Sequence, residues 1–373
     1  MKTVEELLSD LVAIPSVSSM DNRPVIDYVT ACLDPAVWDV TFDSYTDSAG
    51  ISKTNLIAFT RNATARHAEL AFVCHSDTVP FEETWEEAVH PAIRDGLLYG
   101  RGSCDVKGFL SCALSAVDGL KLETLREPLA LIITADEEVG CVGAKRLAAQ
   151  KAFTCNQMII GEPTGLHGVR AGKGYALATI TVRGKEAHSA FPAHGHSAIF
   201  DAARIALALE RVATELEKDR DPAFHPPYTT LNVGTIHGGT AKNIVPGECR
   251  LVVEWRPIPG QLPEYAAELI TRELKDYDAE LEVHRMDPAF APSRTQRLID
   301  MLSIMTRKVP ATIAFGSEAA HLRPLAREVV VFGPGAMTTA HRTGEHVPLS
   351  EVHACVGYLK AVISGCLFAR PAV

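Results

Sequence analysis

Hydrophobic and polar positions along the chain follow two periods. Leu7, Leu8, Leu11, Val12 and Ile14 recur at helical spacing and predict a helix over residues 4–14, ended by Pro15 and a serine-rich turn. Short uninterrupted apolar runs at 56–58, 70–74, 129–134 and 158–160 predict buried strands, and helical patterns at 109–122 and 144–149 fall between them. Strands alternating with helices predict an α/β layer architecture. From Tyr175 the texture changes. Alternation over 177–182 is followed by a long helix over 197–216, strands over 230–236 and 250–255, a helix over 265–274 and a strand over 281–284. That β-α-β-β-α-β order is the ferredoxin-like pattern. After Pro288 and Pro292 the first texture returns, with a helix over 296–306, a strand over 329–332 and a helix over 349–368. The expectation is a discontinuous α/β domain over 1–174 and 286–373, interrupted by an inserted α+β domain over 175–285.

Composition narrows the class. A chain of 373 residues exceeds the size at which one hydrophobic core usually stops growing, which agrees with two domains. Hydrophobic residues at 47% and charged residues at 22% exclude a disordered chain and a disulfide scaffold. A formal net charge of -10, with no basic run interleaved with aromatics, argues against a nucleic-acid partner. The nine cysteines are odd in number, scattered and without a C-x-x-C pair, so reduced thiols and a cytoplasmic protein are expected. Lys2, Glu5 and Glu6 at the start, and the lack of any apolar run of membrane-spanning length, give no sign of a leader or a membrane span.

Candidate chemistry sits just beyond the apolar runs. The run at 70–74 ends in His75-Ser76-Asp77, that at 129–134 in Asp136-Glu137-Glu138, and that at 158–160 in Gly161-Glu162-Pro163-Thr164. In open α/β sheets the carboxyl ends of strands are where ligands bind. Asp105 stands between glycines in Gly100-Arg101-Gly102-Ser103-Cys104-Asp105-Val106-Lys107-Gly108, either as a ligand or as the cap of the following helix. Three adjacent acids after a buried strand need either full exposure or a neutralising cation. Ala340-His341-Arg342-Thr343-Gly344-Glu345 supplies a second imidazole and a further acid before the last helix. Two histidines and several carboxylates form the mixed nitrogen and oxygen set that suits paired divalent ions, zinc above all.

These motifs resemble the dinuclear zinc hydrolases that include aminoacylase, carboxypeptidase G, succinyl-diaminopimelate desuccinylase and acetylornithine deacetylase, over nearly the whole chain. The resemblance implies a zinc-hydrolase domain with a mixed sheet flanked by helices, and a ferredoxin-like lid through which such proteins usually form homodimers. It implies two zinc ions, with cobalt or manganese as substitutes. His75 and Glu162 would be the terminal ligands of one ion, Glu138 and His341 those of the other, and Asp105 the bridge. Glu137 would be the general base, and Asp77 the acid that orients a liganding imidazole. A cis peptide is implied at Asp105-Val106. In the lid, His188 within Gly184-Lys185-Glu186-Ala187-His188-Ser189 matches the histidine that polarises the substrate carbonyl, in relatives from the neighbouring subunit. Asn243 and Arg256 match substrate contacts.

The segments Phe315-Gly316-Ser317-Glu318, Phe332-Gly333-Pro334-Gly335 and Gly161-Glu162-Pro163-Thr164 are similar to the acetylornithine-cleaving members in particular. The expected substrate is then a small N-acyl amino acid, acetylornithine first, whose carboxylate Arg256 and whose distal amine Glu318 would meet. Acetylcitrulline, succinyl-diaminopimelate and dipeptides are the alternatives in the same class. A relative that kept the fold and only binds is the alternative in a different one.

Overall fold

The computed structural model describes residues 2–368. The chain forms two compact units, one of Met1–Arg170, Pro292–Ala311 and His321–Val373, the other of Ala171–Ala291 and Thr312–Ala320.

In the first unit, six strands of a mixed sheet run in the order Trp38–Thr46, Ser52–Thr60, Leu129–Thr134, His67–His75, Thr154–Gly161 and Ala326–Phe332. The first two pairings are antiparallel and the other three parallel. Parallel pairing explains the uninterrupted apolar runs, because such strands are covered on both faces. Leu70, Phe72 and Cys74 share one face with Leu129, Leu131 and Ile133, and all six are fully buried. The helices Val4–Ala13, Lys107–Val117 and Leu349–Leu367 contribute to the same core. Each such side chain contributes roughly 1.5–3 kcal/mol on burial.

Parallel register also decides where chemistry can gather. His75 pairs with Thr134, and Val73 with Ile160, so three strands finish at one edge of the sheet. A Cβ on Gly161 would stand 2.1 Å from Phe109 Cδ1, so only glycine lets this strand end pass over helix Lys107–Val117. Two expectations move. The helix predicted over 109–122 stops at Val117, because Gly119 turns the chain at φ +72°. Strand Trp38–Thr46 and helix Arg23–Cys32 have no predicted counterpart.

The second unit is a four-stranded antiparallel sheet in the order Thr230–Gly238, Glu248–Arg256, Tyr175–Arg183 and Ala279–Asp287. With helices Ala198–Leu216 and Pro263–Glu273, this is the ferredoxin-like order read from the sequence. Ala176, Ala178, Ile180 and Val182, alternating along their strand, pack with Ile205, Leu209 and Val212 of the longer helix.

Candidate metal centre

The sheet edge of the first unit brings His75, Asp105, Glu137, Glu138, Glu162 and His341 together. His75, Asp105 and Glu162 each offer one ligand atom within 4.8 Å of the others, and so do Asp105, Glu138 and His341. The two sets share Asp105. Its Oδ1 lies 3.1 Å from His75 Nε2 and its Oδ2 3.2 Å from His341 Nε2, so one carboxylate turns an oxygen to each side. His341 Nε2 is also 3.1 Å from Glu138 Oε1. Glu137 joins a third set with His75 and Glu138. Asp105 does not cap the next helix: the N-cap is Val106, and no side chain bonds there. The Asp105–Val106 peptide is cis, as the resemblance implies.

Electrostatics favour added positive charge at this edge. Burial acts to lower His75, but Asp105, Glu137 and Asp77 outweigh it and raise its pKa well above the ordinary value. His341 is pushed up to about 10 by Asp105 and Glu138. Burial pushes the Asp105 carboxyl up, yet the imidazoles of His341 and His75 prevail and hold it below the usual carboxylate range. Burial raises Glu138. Carboxylates that draw protons onto two neighbouring imidazoles are the donor set that divalent cations occupy once those protons leave.

The backbone around the donors is held by acids the sequence did not assign to that task. Glu345 Oε1 accepts the N–H groups of Cys104 and Asp105, each at 3.0 Å, while its other oxygen meets Arg101. The resemblance makes the Asp77 carboxylate the partner of a liganding imidazole; His75 Nδ1 lies 2.9 Å from the Asp77 carbonyl oxygen and 3.7 Å from its carboxylate. The carboxylate also accepts from Glu137 N at 3.0 Å, Glu138 N at 3.2 Å and Ser18 Oγ at 2.7 Å.

The remaining expected residues lie in the second unit. His188 is exposed on a short strand paired with Ile244, and its Nδ1 accepts from Ala190 N at 3.1 Å. Asn243 is exposed, and its carbonyl accepts from Ser189 N at 3.0 Å. The Arg256 guanidinium sits 4.9 Å from the Tyr175 ring centre, with Glu254 at 3.5 Å. Glu318 is buried.

All nine cysteines are free thiols. Among the described residues no helix is long and apolar enough to cross a membrane.

The sequence profile of peptidase family M20/M25/M40 matches residues 71–365. An acetylornithine deacetylase of Myxococcus xanthus is 44% identical over 365 residues, covering 96% of each chain. Two solved structures share the fold. A metallo-carboxypeptidase of Sulfolobus solfataricus aligns with a TM-score of 0.76 at 18% identity over 96% of this chain and 98% of its own. An aminopeptidase of Bacillus cereus aligns with a TM-score of 0.75 at 22% identity over 97% and 98%. With its two Asp105-sharing donor sets, its mixed sheet and this sequence identity, the chain belongs to peptidase family M20/M25/M40.

Proposed function

We propose that this protein is a cytoplasmic metal-dependent deacylase that hydrolyses the amide bond of N2-acetyl-L-ornithine, releasing acetate and L-ornithine, a step of arginine biosynthesis. The observation that carries this reading is the pair of donor sets sharing Asp105. The Myxococcus xanthus acetylornithine deacetylase supplies the substrate.

Asp105 would bridge two divalent ions, zinc by preference. His75 and Glu162 complete one set, Glu138 and His341 the other. When bound, such ions polarise the amide carbonyl and lower the pKa of water. Glu137 then takes the proton from the attacking water as its oxygen bonds to the carbonyl carbon. The same carboxyl returns that proton to the nitrogen as the carbon–nitrogen bond breaks. His188 donates to the oxygen on which negative charge develops. Arg256 holds the substrate carboxylate and Glu318 its distal amine, a fixed cation and a fixed anion that select a diamino acid. Asn243 contacts the remaining polar groups. Dimerisation through the inserted unit would let His188 serve the partner's site.

The test is a panel of acetylornithine, acetylcitrulline, succinyl-diaminopimelate and dipeptides assayed on the purified protein. Acetylornithine is expected to have the highest kcat/KM. Exhaustive chelation should abolish turnover, and zinc or cobalt should restore it. A dipeptide preferred over every acyl amino acid overturns the substrate, and activity persisting in protein shown free of metal overturns the mechanism.

A further inference from the structure

Of the three adjacent acids after strand Leu129–Thr134, Glu137 and Glu138 join the donor sets and Asp136 does not. Asp136 is nevertheless buried, with φ at 58°, in the left-handed region that an aspartate seldom occupies. Its Oδ2 accepts from the Tyr45 hydroxyl at 2.9 Å, and its Oδ1 lies 3.0 Å from Lys53 Nζ.

Lys53 itself is only 1% exposed. Its ammonium also donates to the carbonyls of Ser18 at 2.5 Å and Met20 at 2.8 Å, and it meets Asp136 as an ion pair. Ser18 leads back to the same turn, because its hydroxyl donates to the Asp77 carboxylate, which accepts the N–H groups of Glu137 and Glu138. The ammonium therefore grips the turn twice, directly at Asp136 and through Ser18 and Asp77 at the next two residues. Burying a charge is costly unless it is paired, and Asp136 supplies the opposite charge at 3.0 Å.

We infer that Lys53 is a positioning residue for the reaction, fixing through Asp136 on one side and Ser18–Asp77 on the other the turn that presents Glu137 and Glu138. The inference rests on the reading of those two residues as base and metal ligand. It assigns a role to two groups, Lys53 and Asp136, that touch neither substrate nor metal in that reading.

The decisive variant is the double substitution Lys53→Met with Asp136→Asn, which leaves no unpaired buried charge though it removes the donor to the Ser18 and Met20 carbonyls, so kinetics are read only at a temperature well below its own melting temperature. A pair that merely neutralised itself would leave the double variant with parental kinetics. Positioning requires kcat to fall about tenfold or more at nearly unchanged KM, because small misplacements of reacting groups are expensive. Zinc affinity, measured by competition with a fluorescent chelator, should weaken by a similar factor. Parental kcat and zinc affinity in the folded double variant would overturn the inference. Should the double variant not fold, Tyr45→Phe removes only the hydroxyl on Asp136; kcat is expected to fall about threefold or more, and an unchanged kcat again overturns it. Glu138→Ala is titrated alongside. If its zinc affinity equals the parent's, the ligand assignment has failed rather than the role of Lys53.

Discussion

At the scale of single residues, His75, Glu137, Glu138 and Glu162 were legible as candidates because each follows an apolar strand, and Asp105 because it follows a glycine-rich turn, whereas His188, Asn243, Arg256 and Glu318 came only with the family resemblance. The supports of the first five were not legible. Glu345 stands 240 residues from the Asp105 amide it accepts, and no local pattern announces such a partner. Lys53 reads as an ordinary polar position in a strand, and only the fold reveals that it is buried against Asp136. Lys173 is a second buried lysine, whose ammonium donates to the Tyr228 carbonyl at 2.5 Å. Burial, and then repulsion from Arg256, lowers its pKa to about 8. In the unfolded chain a lysine titrates near 10.4, so between these values the unfolded state binds more protons and folding stability rises with pH. Below about 8 both states are protonated and the folded chain carries the whole penalty. Lys173→Met lacks this titration. The stability of the parent relative to Lys173→Met, from urea melts, should therefore increase from pH 8 to 10; a difference independent of pH contradicts the assignment.

At the scale of elements, parallel strands were easy to read and the sheet's antiparallel edge was not. Leu129–Thr134 is buried throughout and carries an unbroken apolar run, whereas Trp38–Thr46 mixes buried and exposed positions with charged and hydroxyl side chains. Helix Arg297–Thr306 was foreseen from its apolar spacing, but not how its start is held. Glu328, on the neighbouring strand Ala326–Phe332, accepts the N–H groups of Leu298 at 2.9 Å and Ile299 at 3.0 Å. A buried carboxylate thus caps the helix from another element and sits at the positive end of its dipole. Glu328→Ala should cost ~2 kcal/mol in urea unfolding and leave kcat unchanged, since hydrogen bonds to charged groups contribute about 1.5–3 kcal/mol. A loss below about 0.5 kcal/mol would mean that water replaces the cap without penalty.

At the scale of the whole molecule, the expected insertion at 175–285 stands beside a second unit of Ala171–Ala291 and Thr312–Ala320, and no change of texture in the sequence marked that last segment. Assembly is where the proposal extends furthest. If His188 serves the partner's site, His188→Ala and Glu137→Ala are each nearly inactive alone. Mixed so that subunits exchange, they give heterodimers in which one site carries both lesions and the other neither. Each heterodimer should show about half of a parental dimer's activity, so an equal mixture after random exchange should show about a quarter, with heterodimers verified by native mass spectrometry. No recovery would place His188 at its own chain's site, or show a monomeric enzyme. The central claim is that Glu137, among donors that hold the metal, moves the proton. The most direct measurement is the rate of acetylornithine hydrolysis by Glu137→Ala, with zinc content determined on the same sample. The account predicts parental zinc content and a kcat lower by about 100-fold to 10,000-fold. Near-parental turnover with zinc in place would contradict it.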